Sequence, residues 1–302
     1  MTLSGLGMVL RRAIAGWWDD NVPHLGAALS YYTLFSLAPI LIVAIAIAGL
    51  AFGAEAVRGE IVSQIDELVG REGGAAVQAM LRGASKPSSG IPATVIGVIT
   101  FFIGATGAFL ELQTALNIIW RVKPKNQASW FRSLLMQRLI SFAMVVGVGF
   151  LLLTSLLVSA ALAALYRYMG DTYPGVAVVW QALNVLVSLG VITLLFAMIY
   201  KVLPDVELAW SDVWIGGLVT AGLFTIGKSL IGLYLGTSGV SSTYGAAGSV
   251  VVLLVWVYYS SQIVLLGAEF TREYVKQFGK RPRPSKFAEN EGGIHAGGRV
   301  AG

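Results

Sequence analysis

Six stretches of this chain contain no Asp, Glu, Lys or Arg: residues 25–54, 87–110, 139–166, 172–200, 213–227 and 229–268. A membrane-spanning helix needs only ~20 predominantly apolar residues, so runs of this kind point to the bilayer as solvent. The last run is too long for one span, and "LGTSGVSSTYGAAGS" (235–249) has the Gly, Ser and Thr content of a connection, which divides it. Six helices result, over approximately 28–52, 91–116, 134–160, 176–200, 211–235 and 246–268. Composition agrees: 56% hydrophobic against 12% charged residues is outside the soluble range. A membrane β-barrel would show period-2 alternation in short segments, whereas "LIVAIAIAGLAF" is apolar on every side. The expected fold is therefore all-α, a polytopic membrane bundle of six transmembrane helices.

Basic residues are retained on the cytoplasmic side of a membrane. With the N-terminus inside, fourteen Lys and Arg fall in cytoplasmic segments, against Arg58, Arg71, Arg82, Lys86 and Arg167 outside, while Arg138 and Lys228 lie within helices. Both termini are expected in the cytoplasm. Residues 1–24 read as an N-terminal interfacial helix, because Leu6, Leu10, Ile14 and Trp17 recur at helical spacing while Arg11 and Arg12 lie elsewhere on its surface. No signal-peptide layout is expected there, the arginines following the apolar stretch. The transmembrane domain covers 25–270. In its long outer loop Ile61, Ile65, Leu68 and Val69 mark one amphipathic helix, and Val77, Met80 and Leu81 a second; both are expected to cap the bundle. Residues 271–302 are basic and rich in Gly and Pro, and are expected to form a disordered tail.

Ionisable groups inside spans are costly, so each is a candidate for function. Thr100, Gly104, Gly107, Glu111 and Thr114 recur at steps of 4, 3, 4 and 3, placing Glu111 on a seam of small residues. Glu269 at the end of the sixth helix and Arg138 at the start of the third fall in the same cytoplasmic layer. These three form either a structural polar cluster or a gating site. Lys228 lies ~10 Å from the outer end of the fifth helix, with Thr225 and Gly232 on its face and no acid in the outer half of any span. It either snorkels to the interface or meets an anionic headgroup, with Tyr244 nearby in sequence. Pro39 is expected to kink the first span, freeing a carbonyl for Ser36 or a neighbouring helix.

Enzyme chemistry is hard to find. His24 and His295 cannot form a multi-His metal site; no P-loop, dinucleotide fingerprint or HExxH is present, and no Cys offers a thiolate. No metal, no cofactor and no catalytic residues are expected. The net charge of +5 is accounted for by the cytoplasmic loops, beside anionic headgroups, so nucleic acid is not an expected partner.

The segments "ALSYYTLFSLAPIL" (28–41), "ELQTALNIIWRV" (111–122), "LPDVELAWSDVWIGG" (203–217), "KSLIGLYL" (228–235) and "STYGAAGSVVVLLVWVYYSSQIVLLGAEF" (242–270) together resemble the YihY/virulence factor BrkB family of bacterial inner-membrane proteins. The resemblance covers roughly 10–270. It implies six helices with both ends cytoplasmic and a role in envelope integrity or lipid traffic, and it brings no catalytic residues to carry over. Some members carry the label ribonuclease BN, which this sequence does not support, since no constellation here would hold two metals over a phosphate. The expected function is a transporter or flippase of an amphipathic anionic envelope component, a lipid or glycolipid, with membrane lipids as partners. The alternative is a structural or scaffolding membrane protein. Homo-oligomerisation is left open.

Overall fold

The computed structural model describes residues 3–84, 106–124, 176–237, 243–244, 247–279, 282–285 and 288–290. Among these the chain is mostly helical, and four helices carry a stretch long and apolar enough to cross a membrane: Val22–Ile42, Val185–Val202, Trp210–Leu235 and Gly248–Phe278. The described helices are α1 (Leu3–Asp19), α2 (Val22–Phe52), α3 (Ala54–Ala84), α4 (106–119), α5 (Val176–Val202), α6 (Trp210–Thr237) and α7 (Gly248–Phe278). The expected second span is described only from residue 106, and the third, with Arg138, lies outside the described residues.

The bundle has two unlike ends. At one, which carries the charges and is called here the polar end, α1 lies against the last turns of α7, and the chain turns into α2 through Asn21, whose left-handed backbone (φ 53°) a short polar side chain tolerates. The C-terminal turns of α4 and α5 and the start of α6 share this end, around a core that includes Leu116, Ile119, Tyr200, Leu203, Val213 and Leu265. At the far end the outgoing part of α2 meets α3 and the first half of α7, with Ile45, Val57, Val77, Leu81, Val252 and Val257 in one apolar cluster.

Helix α3 is assigned as one element of 31 residues, yet it doubles back. At a rise of ~1.5 Å per residue a straight helix would hold Glu55 and Arg82 ~40 Å apart, whereas both line one cleft, and Asp66 lies against Gly74. The two limbs are the amphipathic segments expected from the sequence. Ile61, Ile65, Val77, Met80 and Leu81 all join the far-end cluster; the side chains of Leu68 and Val69 lie outside the described ones.

Helix α1 presents two apolar faces. Gly5, Val9, Ala13, Gly16 and the following Asp20 form its buried stripe, while Leu6, Leu10, Ile14 and Trp18 face outward and Trp17 packs against the core. In α2, Pro39 sits inside a continuous helix, and Ser36 Oγ accepts the Ala108 N–H at 3.1 Å, tying α2 to α4.

The C-terminal region differs from expectation. The sixth span does not end at 268: α7 runs to Phe278, because the charges after Ala268 are buried and paired instead of solvated. Beyond it, β1 (Val122–Pro124) pairs with β4 (Ala288–Asn290) and β2 (Val206–Glu207) with β3 (Arg283–Pro284), both antiparallel. Residues placed in a disordered tail therefore clamp two polar-end connections. A composition argument weighs apolar burial only and misses backbone pairing to a waiting loop. Residues 291–302 lie outside the described ones.

Candidate functional site

The last turns of α7, "GAEFTREYVK", place Glu269, Arg272, Glu273 and Lys276 at steps of 3, 1 and 3, one face of a helix. That face turns inward. The side chains of Glu269, Arg272 and Glu273 are 0%, 7% and 8% exposed, too dry for a charge without a partner. Arg272 supplies the centre. Its Nη1 reaches Asp20 Oδ2 at 2.7 Å and the Ile119 carbonyl at 2.5 Å, Nη2 lies 2.9 Å from Glu269 Oε2, and Nε donates to Glu273 Oε1 at 3.2 Å. The Ile119 carbonyl ends α4, where the helix dipole favours a cation.

Arg121 pairs with the other oxygen of Asp20, and Lys276 Nζ donates to Glu273 Oε1 at 2.6 Å. Three acids thus meet three bases, joining α1, α4 and α7. Arg121 holds a left-handed backbone (φ 56°), uncommon for a residue with a long side chain, at the turn that leads into β1. Glu269 is the least tied member: it is in ion-pair range of Arg272, but among the described residues no hydrogen-bond donor is aimed at either oxygen. Space for it comes from α1, since a Cβ at Gly16 would lie 2.6 Å from Glu269 Oε2 and 2.9 Å from Arg272 Nη2.

Beside this cluster a second network joins α4 to the loop after α5. Asn117 Nδ2 donates to Asp205 Oδ2 at 2.8 Å, and Asn117 Oδ1 accepts the Asp205 N–H at 2.8 Å; Gln113 Nε2 lies 3.4 Å from the same carboxylate. One layer deeper, Tyr200 Oη donates to the Val264 carbonyl at 2.7 Å and lies 3.0 Å from Thr220 Oγ1.

The residues singled out from sequence fall into three groups. Glu269 belongs to the cluster, with Arg272 as its partner. Glu111 is half-buried on α4, with no hydrogen bond or ion pair to Glu269 among the described residues, and Arg138 lies outside them. Thr225, Lys228 and Gly232 share one exposed face of α6, where Thr225 Oγ1 donates to its own helix at Ala221 O (2.7 Å). Among the described residues no ion pair engages Lys228, and Tyr244 is exposed without a described contact to it. Asp20, Asn117, Arg121, Asp205, Arg272 and Glu273 were missed. The spacing from Glu269 to Lys276 was the available signal for two of them.

Packing along α6 changes with depth. Near the polar end it is tight: a Cβ at Gly217 would lie 2.7 Å from the Thr193 carbonyl, and Val213, Thr220 and Ala221 are fully buried. Among the described residues from Thr225 onward, only Gly227, against Ile263 and Tyr259 of α7, and Ile231 are buried, and none of the described residues lies within 4 Å of a Cβ at Gly222 or Gly232. On α5, Leu183, Val185 and Leu186 likewise face outward. No group of three or more His, Cys, Asp or Glu able to hold a metal occurs among the described residues.

The profile of the family described as Virulence factor BrkB matches residues 13–291. The UPF0761 membrane protein of Ralstonia nicotianae is 30% identical over 261 residues, covering 86% of this chain and 56% of the relative. That of Tolumonas auensis is 30% identical over 262 residues, covering 84% and 81%, and that of Pseudomonas aeruginosa 29% over 251, covering 82% and 58%. The chain thus spans little more than half the length of the Ralstonia and Pseudomonas relatives. No solved structure matches it significantly. With a family match over nearly its whole length and several apolar helices of spanning length, the chain is an integral membrane protein of the virulence factor BrkB family.

Proposed function

We propose that the chain is a six-span bacterial inner-membrane transporter or flippase of an amphipathic anionic envelope component such as a lipid, with both termini in the cytoplasm. The observation that carries the reading is the gradient along α6: closely packed beside the ionic cluster, and mostly exposed among the described residues from Thr225 to Thr237. A helix held fast at one end and less closely packed among the described residues along the rest is compatible with the rocking motion of alternating access. Lys228 is the one charged residue between Val213 and Thr237, and it lies in the open part. Its ammonium, with Thr225, Gly232 and Tyr244, would meet an anionic headgroup, while Glu269 and its partners, with Glu111 and Arg138, would control the polar end. A gradient or a partner protein would supply the energy.

A structural or scaffolding role is favoured by one observation, the complete pairing of charges in the cluster. Reconstitution decides between the two. Full-length protein in liposomes with fluorescent zwitterionic and anionic lipids should move the anionic lipid across the bilayer. Lys228→Leu should fold but lose this activity, and Lys228→Arg should keep part of it, because the charge persists. Lipid movement by Lys228→Leu equal to wild type would contradict the assignment of Lys228, and none by wild type would leave the scaffolding role.

A further inference from the structure

At the far end of the bundle the two limbs of α3 enclose a half-open cleft of about 310 Å³. One limb contributes Glu55, Arg58 and Val62, and the other Gln78, Leu81 and Arg82. Among the described lining residues two guanidiniums face one carboxylate, a surplus of positive charge. The pairing is also incomplete. Arg58 Nη1 lies 3.6 Å from Glu55 Oε1, beyond good hydrogen-bond reach, and Arg58 Nε is buried with no hydrogen-bond partner among the described residues. Arg82 Nη2 donates to Gln78 Oε1 at 2.8 Å, leaving its remaining donors for another group. A buried N–H without an acceptor is costly, and the acceptor that suits two guanidinium forks is a phosphate.

We propose that this cleft binds a phosphate-bearing anion, held between Arg58 and Arg82. Val62 and Leu81 line the same space, and Leu81 continues into the far-end apolar cluster. The cleft therefore accommodates a phosphate together with an adjoining apolar or glycerol moiety. Phosphate is the shared chemistry of two sources, a phospholipid headgroup and a soluble phosphoester, and the site is separate from Lys228 and independent of any transport.

Binding to the full chain tests this. Protein in a neutral sugar detergent is titrated with short-chain phosphatidylglycerol, with inorganic phosphate and with glycerol 3-phosphate, and binding is followed by calorimetry and native mass spectrometry. Wild type should bind at least one of the three. Arg58→Gln and Arg82→Gln should each weaken it about tenfold, and Glu55→Gln, which frees Arg58, should tighten it. Binding of the lipid alone identifies a headgroup site; binding of the soluble phosphates as well identifies a phosphoester site. The proposal is overturned if wild type binds none, if folded arginine variants bind as wild type does, or if Glu55→Gln weakens binding. Because the readout is binding, a negative result leaves the transport reading untouched.

Discussion

Arg272 and Lys228 are both cations on helices of spanning length, and the fold treats them in opposite ways. Arg272 is 7% exposed and touches three carboxylates and a helix-ending carbonyl from three elements. Lys228 is exposed, on a stretch of α6 that touches its neighbours along one thin stripe. The difference follows from desolvation. A guanidinium removed from water and lipid headgroups must be matched charge for charge, whereas a flexible ammonium on an outward face can bend toward a headgroup or meet a ligand. Pairing of the Arg272 kind builds rigidity, and exposure of the Lys228 kind leaves a charge free to act on something else.

Replacing Arg272 should have the largest effect. Arg272→Leu strands Glu269 in a dry site and leaves Asp20 to Arg121 and Glu273 to Lys276 alone, and loss of ~3–5 kcal/mol is expected, since breaking a buried pair leaves charge without compensation; thermal unfolding in detergent measures it. A loss below ~1 kcal/mol, no more than an exposed ion pair contributes, would mean that the cluster is wet and that the two cations do not differ. Gly16→Leu comes next. It drives a side chain into the Glu269–Arg272 pair and should cost ~1–3 kcal/mol, the range of overpacking, although it removes no charge. Asn117→Ala, which deletes both hydrogen bonds to Asp205, should cost ~1–2 kcal/mol by the same assay. The smallest effect is expected at Lys228. Lys228→Leu should change stability by less than ~0.5 kcal/mol, as for exposed substitutions. A large destabilisation there would show that Lys228 is paired after all.

Much of this fold was legible in the sequence because hydropathy is a local property. The expected spans 176–200 and 211–235 became Val176–Val202 and Trp210–Thr237, and the far-end clamp was visible in the spacing of Ile61, Ile65, Val77 and Leu81. What failed was pairing across distance. The sequence placed Glu269 in one layer with Glu111 and Arg138, of which Arg138 lies outside the described residues, and did not name Arg272, which lies three residues from Glu269 on the same helix face and pairs with it. Arg272 was missed because the first charges after an apolar run were treated as the end of the helix, while α7 continues three turns further with those charges inward. Asp20 and Arg121 carry no local signal that they meet, being 101 residues apart. Strand pairing of 283–284 and 288–290 was hidden for the same reason, since its partners are loops far back in the chain.

The account depends most on the gradient along α6, and the absence of cysteine from the chain makes that gradient measurable without background. Single cysteines introduced one at a time from Val213 to Thr237, spin-labelled in nanodiscs, report side-chain mobility and access to oxygen and to a water-soluble nickel chelate. Labels near Val213, Gly217, Thr220 and Ala221 should be immobile and inaccessible. Labels at Thr225, Gly232, Leu233 and Tyr234 should be mobile and accessible, with Gly227 and Ile231 the restricted positions among them. Uniform immobility through Thr237 would contradict the account, because α6 would then be packed along its whole length and Lys228 would have no open surface on which to meet a ligand.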